Sequence, residues 1–200
     1  MPLTYPRAHK LSVGYDTKED RLFLIFHLQN GDYRKALLSR RLLDALLVRM
    51  SEELASSHPM VGHTAQRDEM LQMEHLASVS VQTAEPEQPV QSGHQQGQIP
   101  SQAQQPQETQ QLPSRYSGSF LITDAHVEVQ QGVLVVGWSG EWLNDQKTAS
   151  EPIAALGLAR SEAHRVLRLL RDKAEVAGWN MAMPAQWLQP LEYGKALGAQ

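Results

Sequence analysis

The chain has 200 residues, 41% of them hydrophobic and 20% charged, with a formal net charge of −4. This is the composition of one or two small globular domains, and it excludes a global basic field of the kind that gathers nucleic acid. There is no cysteine, which removes disulfides, thiolate metal sites and a cysteine nucleophile.

The opening MPLTYPRAHKLSVGYD lacks the apolar core of a signal peptide. No apolar run reaches the roughly 18 residues of a membrane span, so a cytoplasmic protein is expected. In KLSVGYD, Leu11, Val13 and Tyr15 alternate with smaller or polar neighbours, the period of a half-buried strand. After the polar turn TKED, RLFLIFHLQ predicts a second strand. Leu22, Leu24, Phe26 and Leu28 line one face and Phe23 and Ile25 the other, as in a central strand. Asn30-Gly31-Asp32 is a hairpin signal, and YRKALL supplies a third strand.

Ser39 is placed to cap a helix. Leu42, Leu43, Leu46, Leu47, Met50 and Leu54 then recur at helical spacing, and ASSHP ends the run. A weaker helix is predicted over RDEMLQMEHLASV, with a loose apolar stripe that needs a partner surface.

From Gln82 to Pro113, 12 of 32 residues are Gln and five are Pro. So few apolar side chains cannot offset an ordering entropy of about 1–2 kcal/mol per residue. The region 82–115 is expected to be a disordered Gln/Pro-rich linker.

Beyond it, SFLITDAHVEV is a strand of imperfect alternation. Phe120, Ile122, Asp124 and His126 are expected on one face, with Leu121, Ala125, Val127 and Val129 nearer the other. QQG turns the chain, and VLVVGWSGEW puts Leu134, Val136, Trp138 and Trp142 on one face. After the loop LNDQKTAS comes the strand EPIAALGLA. The helix from about Ser161 turns Ala163, Val166, Leu167, Leu170, Ala174 and Ala177 inward, and Gly178 stops it. The tail is rich in anchors, including Trp179, Trp187 and Leu188, and is expected to pack.

Each half therefore reads strand, strand, strand, helix. Aligning Leu38 with Leu158 brings Leu46 onto Val166, Leu47 onto Leu167 and Met50 onto Leu170. The expected fold class is α+β, with two similar βββα halves as an internal pseudo-repeat. The N-terminal half spans 1–81 with an extra helix, and the C-terminal half spans 116–200 with a packed tail. One such unit has a marginal core. Two can bury faces against each other or pair their sheet edges, giving a monomer that is an internal pseudo-dimer, or a homodimer.

The chemistry is sparse. Phosphate-binding glycine loops, HExxH and a nucleophile elbow are absent from the sequence. His58, His63 and His75 could gather around a metal, but no carboxylate accompanies them at tight spacing. No catalytic, cofactor-binding or metal-binding residue is expected. One directional pattern remains, on the last helix, where Arg160, His164, Arg168 and Arg171 form a basic stripe opposite the apolar face. The bland reading is a solvated face, and the sharper one is a strip for an acidic partner or a phosphate backbone. The functional expectation is a non-enzymatic adaptor or assembly component with a protein partner, no cofactor and no membrane. The alternative is a nucleic-acid-binding module using that stripe and sheet aromatics. The expected contact residues are Arg160, His164, Arg168, Arg171, Trp138 and Trp142.

Overall fold

A computed structural model describes residues 4–59, 62, 64–80, 115–143 and 149–189. Most of the region expected to be a linker, residues 144–148, His63 and the chain end from 190 lie outside the described residues. The elements run β1 (Arg7–Asp16), β2 (Arg21–Leu28), β3 (Asp32–Leu38), α1 (Arg40–Ser56), α2 (Thr64–Ser80), β4 (Arg115–Gln130), β5 (Val133–Trp142), β6 (Glu151–Leu158) and α3 (Arg160–Val176), then a 3-10 turn at Gln186–Leu188. The class is α+β.

Local chemistry sets the hairpins. Gly31, at φ +87°, closes β2 onto β3, donating its N–H to the Leu28 carbonyl at 3.0 Å. Gln131 and Gly132 both take positive φ between β4 and β5, as the primed two-residue turns require. Ser39 caps α1, its Oγ accepting from the Leu42 N–H at 3.4 Å, an arrangement worth about 1 kcal/mol. At the end of α3, Gly178 takes φ +71° and Trp179 donates back to the Ala174 carbonyl, closing the last turn.

The two three-stranded meanders do not stack face to face. They join edge to edge on both sides, β3 running parallel to β4 and β1 parallel to β6, so the six strands close into a barrel. Closure removes the exposed edges that two small sheets would otherwise present. The two parallel seams differ in length. β3 and β4 pair from Asp32 with Arg115 to Leu37 with Leu121, nearly the whole of β3, whereas β1 and β6 pair only at Arg7 with Ala155 and Ala8 with Leu156. α1 packs against β4 and α3 against β1. The apolar stripe of each helix, led by Leu43, Leu46, Leu47 and Met50 in α1 and by Leu167 and Leu170 in α3, joins the barrel interior in one continuous core.

That interior is built by the period-2 alternation of the strands. Leu22, Leu24 and Phe26 from β2, Leu134, Val136 and Trp138 from β5, and Phe120 and Ile122 from β4 are all buried. The expected faces of β4 need correction. The register against β5 shifts between Ile122 and Asp124, so an extra residue flips the alternation. Phe120 and Ile122 then share the inner face with Ala125 and Val127, while Asp124 and His126 face out. A bulge of this kind has no local sequence signature.

The tail packs as expected over its described part. Trp179 donates its indole N–H to Asp20 at 3.0 Å, Arg40 holds the Asn180 carbonyl at 2.8 Å, and Trp187 and Leu188 are buried. Among the described residues no helix is long and apolar enough to cross a membrane.

Candidate functional site

The outer face of β1 to β4 carries a row of rings that crosses the strands. It is set by register. His27 lies opposite Lys10 on one side and Tyr33 on the other, and Tyr33 lies opposite Tyr116 across the parallel seam. A bulge at the start of β1 turns both His9 and Lys10 outward. Ring centroids follow one another at 6.4 Å from His9 to His27, 6.4 Å from His27 to Tyr33 and 5.4 Å from Tyr33 to Tyr116. Four strands at a spacing of about 4.8 Å make this a ladder about 14 Å long. His9 and Tyr116 are exposed, while His27 and Tyr33 are half-buried.

The ladder is held from below. The Tyr116 hydroxyl bonds Ser119, and Ser117 donates to the Tyr33 carbonyl at 3.1 Å. Gly118, at φ +137°, takes the strained residue of a bulge, and the Trp142 ring lies where its Cβ would stand. Arg7, Lys10 and Arg115 are exposed around the row, and Lys35, in the next row, sits over the Phe23 ring at 4.9 Å. Partial burial, with the charges of Lys10 and His9 close by, lowers the His27 imidazole below its ordinary 6.5. It is therefore neutral at pH 7, a flat ring carrying donor and acceptor nitrogens.

The residues expected from sequence to contact a partner do not form one surface. Arg160 donates to Glu74 at 2.9 Å, to the Ser57 hydroxyl and to the Leu54 carbonyl. His164 is only 1% exposed. α2 lies over the N-terminal part of α3, so the stripe is not a solvated face there. Arg168 and Arg171 lie further along, with Arg168 paired to Asp172 at 2.7 Å. Trp138 is fully buried against Phe26 inside the barrel, and Trp142 packs on Phe120 while donating to Glu151 at 3.0 Å.

What gathers beneath α2 is a polar cluster. Glu74 faces Arg160, His164 at 3.4 Å and His58 at 3.8 Å, while the rings of His75, His164 and Trp187 meet edge to face. Burial opposes ionisation of Glu74, but Arg160 and His164 outweigh it and hold the carboxyl below its ordinary range. Burial lowers His164 despite Glu74, and lowers His75 to about 4, with His164, Arg168 and Arg171 adding to the effect. Among the described residues no group of three or more His, Cys, Asp or Glu side chains is disposed to hold a metal ion.

The ladder escaped the sequence reading in part only. The hairpin signal at Asn30-Gly31 already sets His27 opposite Tyr33. The partnership of Tyr33 with Tyr116 depends on a parallel pairing between strands on either side of the Gln/Pro-rich region, which nothing local encodes. The chain matches no family model, no curated protein and no solved structure.

Proposed function

We propose that this protein is a non-enzymatic binding module that holds single-stranded nucleic acid on the outer face of its barrel, with bases stacked on His9, His27, Tyr33 and Tyr116. The observation that carries this reading is the unbroken run of ring contacts across four strands. Every base has a π-face, so such a platform accepts single strands with little sequence preference, at about 1–3 kcal/mol per stacked base. Arg7, Lys10, Lys35 and Arg115 around the row suit a phosphate backbone, although the whole chain is acidic, because binding depends on the local field. The order βββα on each side of the Gln/Pro-rich region supports an internal duplication. The cytoplasm is the compartment this reading assumes.

A second reading, an adaptor for a protein partner, is favoured by α2. Its outward face exposes Met70, Met73 and Leu76, with Met73 63% exposed, a ridge of the kind that accepts a partner helix.

Fluorescence anisotropy with labelled dT and rU oligonucleotides on the full chain tests the proposal. Tyr33→Ala with Tyr116→Ala is expected to weaken binding by roughly 5-fold to 150-fold per ring, as about one to three kcal/mol per base implies. Tyr33→Phe, which keeps the ring, is expected to bind as wild type. Absence of binding at low salt, or a double variant that binds unchanged, refutes the reading.

A further inference from the structure

At its His9 end the ladder runs into a groove. β1 and β6 pair at only two positions, and beyond them the two strands part with α3 alongside. The opening is about 290 Å³ and is lined by residues of all three elements, with Leu11, Leu158, Val166 and Leu169 below and Lys10 and Arg165 at the sides. His9 belongs to both features, since its ring touches His27 and also lines this groove. The groove is therefore a continuation of the ladder.

We infer that this groove carries the sugar-phosphate backbone of the strand stacked on the ladder, with Lys10 and Arg165 each set on a phosphate. The inference rests on the single-strand reading of the outer face. Three observations point to an anionic, partly apolar chain as the occupant. Lys10 is exposed, Arg165 is half-buried, and among the described residues neither forms an ion pair. The acid in the groove, Glu162, is turned to the start of α3, where it accepts the Ala159 N–H at 2.8 Å. There the positive end of the helix offsets part of its charge. The apolar floor suits a sugar or a base face and gives a bare anion no reason to prefer this place. The volume is at or just below the low end of small-ligand sites, about 300–1,000 Å³, so it fits one stretch of backbone and not a folded partner.

A second depression adjoins His9 on the other side, lined by Tyr5, Arg7, Gln130 and Val135, with a volume of about 450 Å³. Arg7 is its one cation, and Tyr5 is held over Gly137 by a 2.9 Å bond to Ser139. It offers one phosphate contact against two, and the course along α3 is the one proposed.

The salt dependence of binding separates the possibilities. Each phosphate contact to a single strand contributes about 0.7 to the slope of log K against log salt. Anisotropy titrations from low to high salt with a labelled dT oligonucleotide are run on the full chain. Lys10→Gln with Arg165→Gln is expected to lower the slope by about 1.4, and each single change by about 0.7. Tyr116→Ala is expected to weaken binding with the slope unchanged. If wild type and Tyr116→Ala behave so but the double variant keeps the wild-type slope, the backbone lies elsewhere and the groove inference fails while the ladder stands. A slope that falls with Arg7→Gln while the Lys10 and Arg165 double variant keeps the wild-type slope places the strand in the neighbouring depression and overturns the groove inference. If wild type binds no oligonucleotide, the ladder reading fails and the groove inference with it.

Discussion

Acid is expected to loosen α2 before the barrel, and His75 is the group to test. His75 lies on the inner face of α2, 6% exposed, against His164 and Trp187. The charged or titratable groups around it are His164, Arg168, Arg171 and Asp172 on α3, and only Asp172 favours its protonation. Its imidazole is lowered from 6.5 to about 4. A folded state that resists a proton the unfolded chain accepts is most stable above the unfolded value near 6.5. It loses that stability as pH falls toward 4. At about 1.4 kcal/mol per pH unit, the full loss is about 3 kcal/mol. His164 is lowered as well and works in the same direction. Glu74, held low by Arg160 and His164, adds a loss at more acid pH as it is protonated. The assay is urea unfolding at pH 7.5, 6.0, 5.0 and 4.5, with hydrogen exchange followed on α2 and on β2. Wild type is expected to lose stability steeply between pH 6.5 and 4.5, with α2 amides losing protection first. His75→Phe keeps a ring against Trp187 and removes the titration, so it is expected to flatten the curve by about 2 kcal/mol over that interval. Identical slopes for the two proteins, or β2 opening together with α2, would refute the reasoning.

Two further predictions concern how the barrel and the helices hold the proposed binding face. Gly118→Ala is expected to destabilise the protein by about 1–3 kcal/mol and to weaken oligonucleotide binding, because a Cβ there meets the Trp142 ring and the positive φ is strained; a thermal melt and an anisotropy titration check both. Arg160→Gln is expected to cost about 1–2 kcal/mol, since it strips the half-buried Glu74 of its 2.9 Å partner, while leaving oligonucleotide binding within about twofold; urea unfolding beside anisotropy separates the two effects.

The elements were legible where one local signal decides them. Ser39 caps α1, Gly178 ends α3, Asn30-Gly31 turns β2 into β3, and the stripe Leu43, Leu46, Leu47, Met50 and Leu54 faces the core as helical spacing requires. Two kinds of feature were not legible. One is the β4 bulge, which inserts an extra residue and inverts the expected faces from Asp124 onward. The other is any contact between distant elements. The stripe Arg160, His164, Arg168, Arg171 has the spacing of an exposed face, and nothing in α3 says that α2 lies over half of it. That depends on Glu74 and His75 of α2 meeting Arg160 and His164. The same limit hid the ladder, whose rings are ordinary strand residues until the register of four strands aligns them.

The closure of the barrel and the position of the ladder are one fact seen twice. A lone three-stranded meander with one helix leaves two sheet edges open and too small a core. The chain resolves this by pairing β3 with β4 and β1 with β6, so that each half covers the edges of the other. The first seam runs along nearly all of β3, whereas the second is confined to two residue pairs with α3 alongside. At the first seam Tyr33 meets Tyr116 and the ladder crosses from one half to the other. At the second, the divergence of β1 and β6 opens the groove that begins at His9. A fragment carrying residues 4–80 alone would keep His9, His27 and Tyr33 but lose Tyr116, the whole β6 wall and Arg165 of α3. The surface thus depends on closure, so a variant that opens either seam is expected to lose binding in proportion to the barrel it loses. An oligonucleotide spanning ladder and groove is in turn expected to raise the unfolding midpoint of the whole chain, because it binds only the closed form.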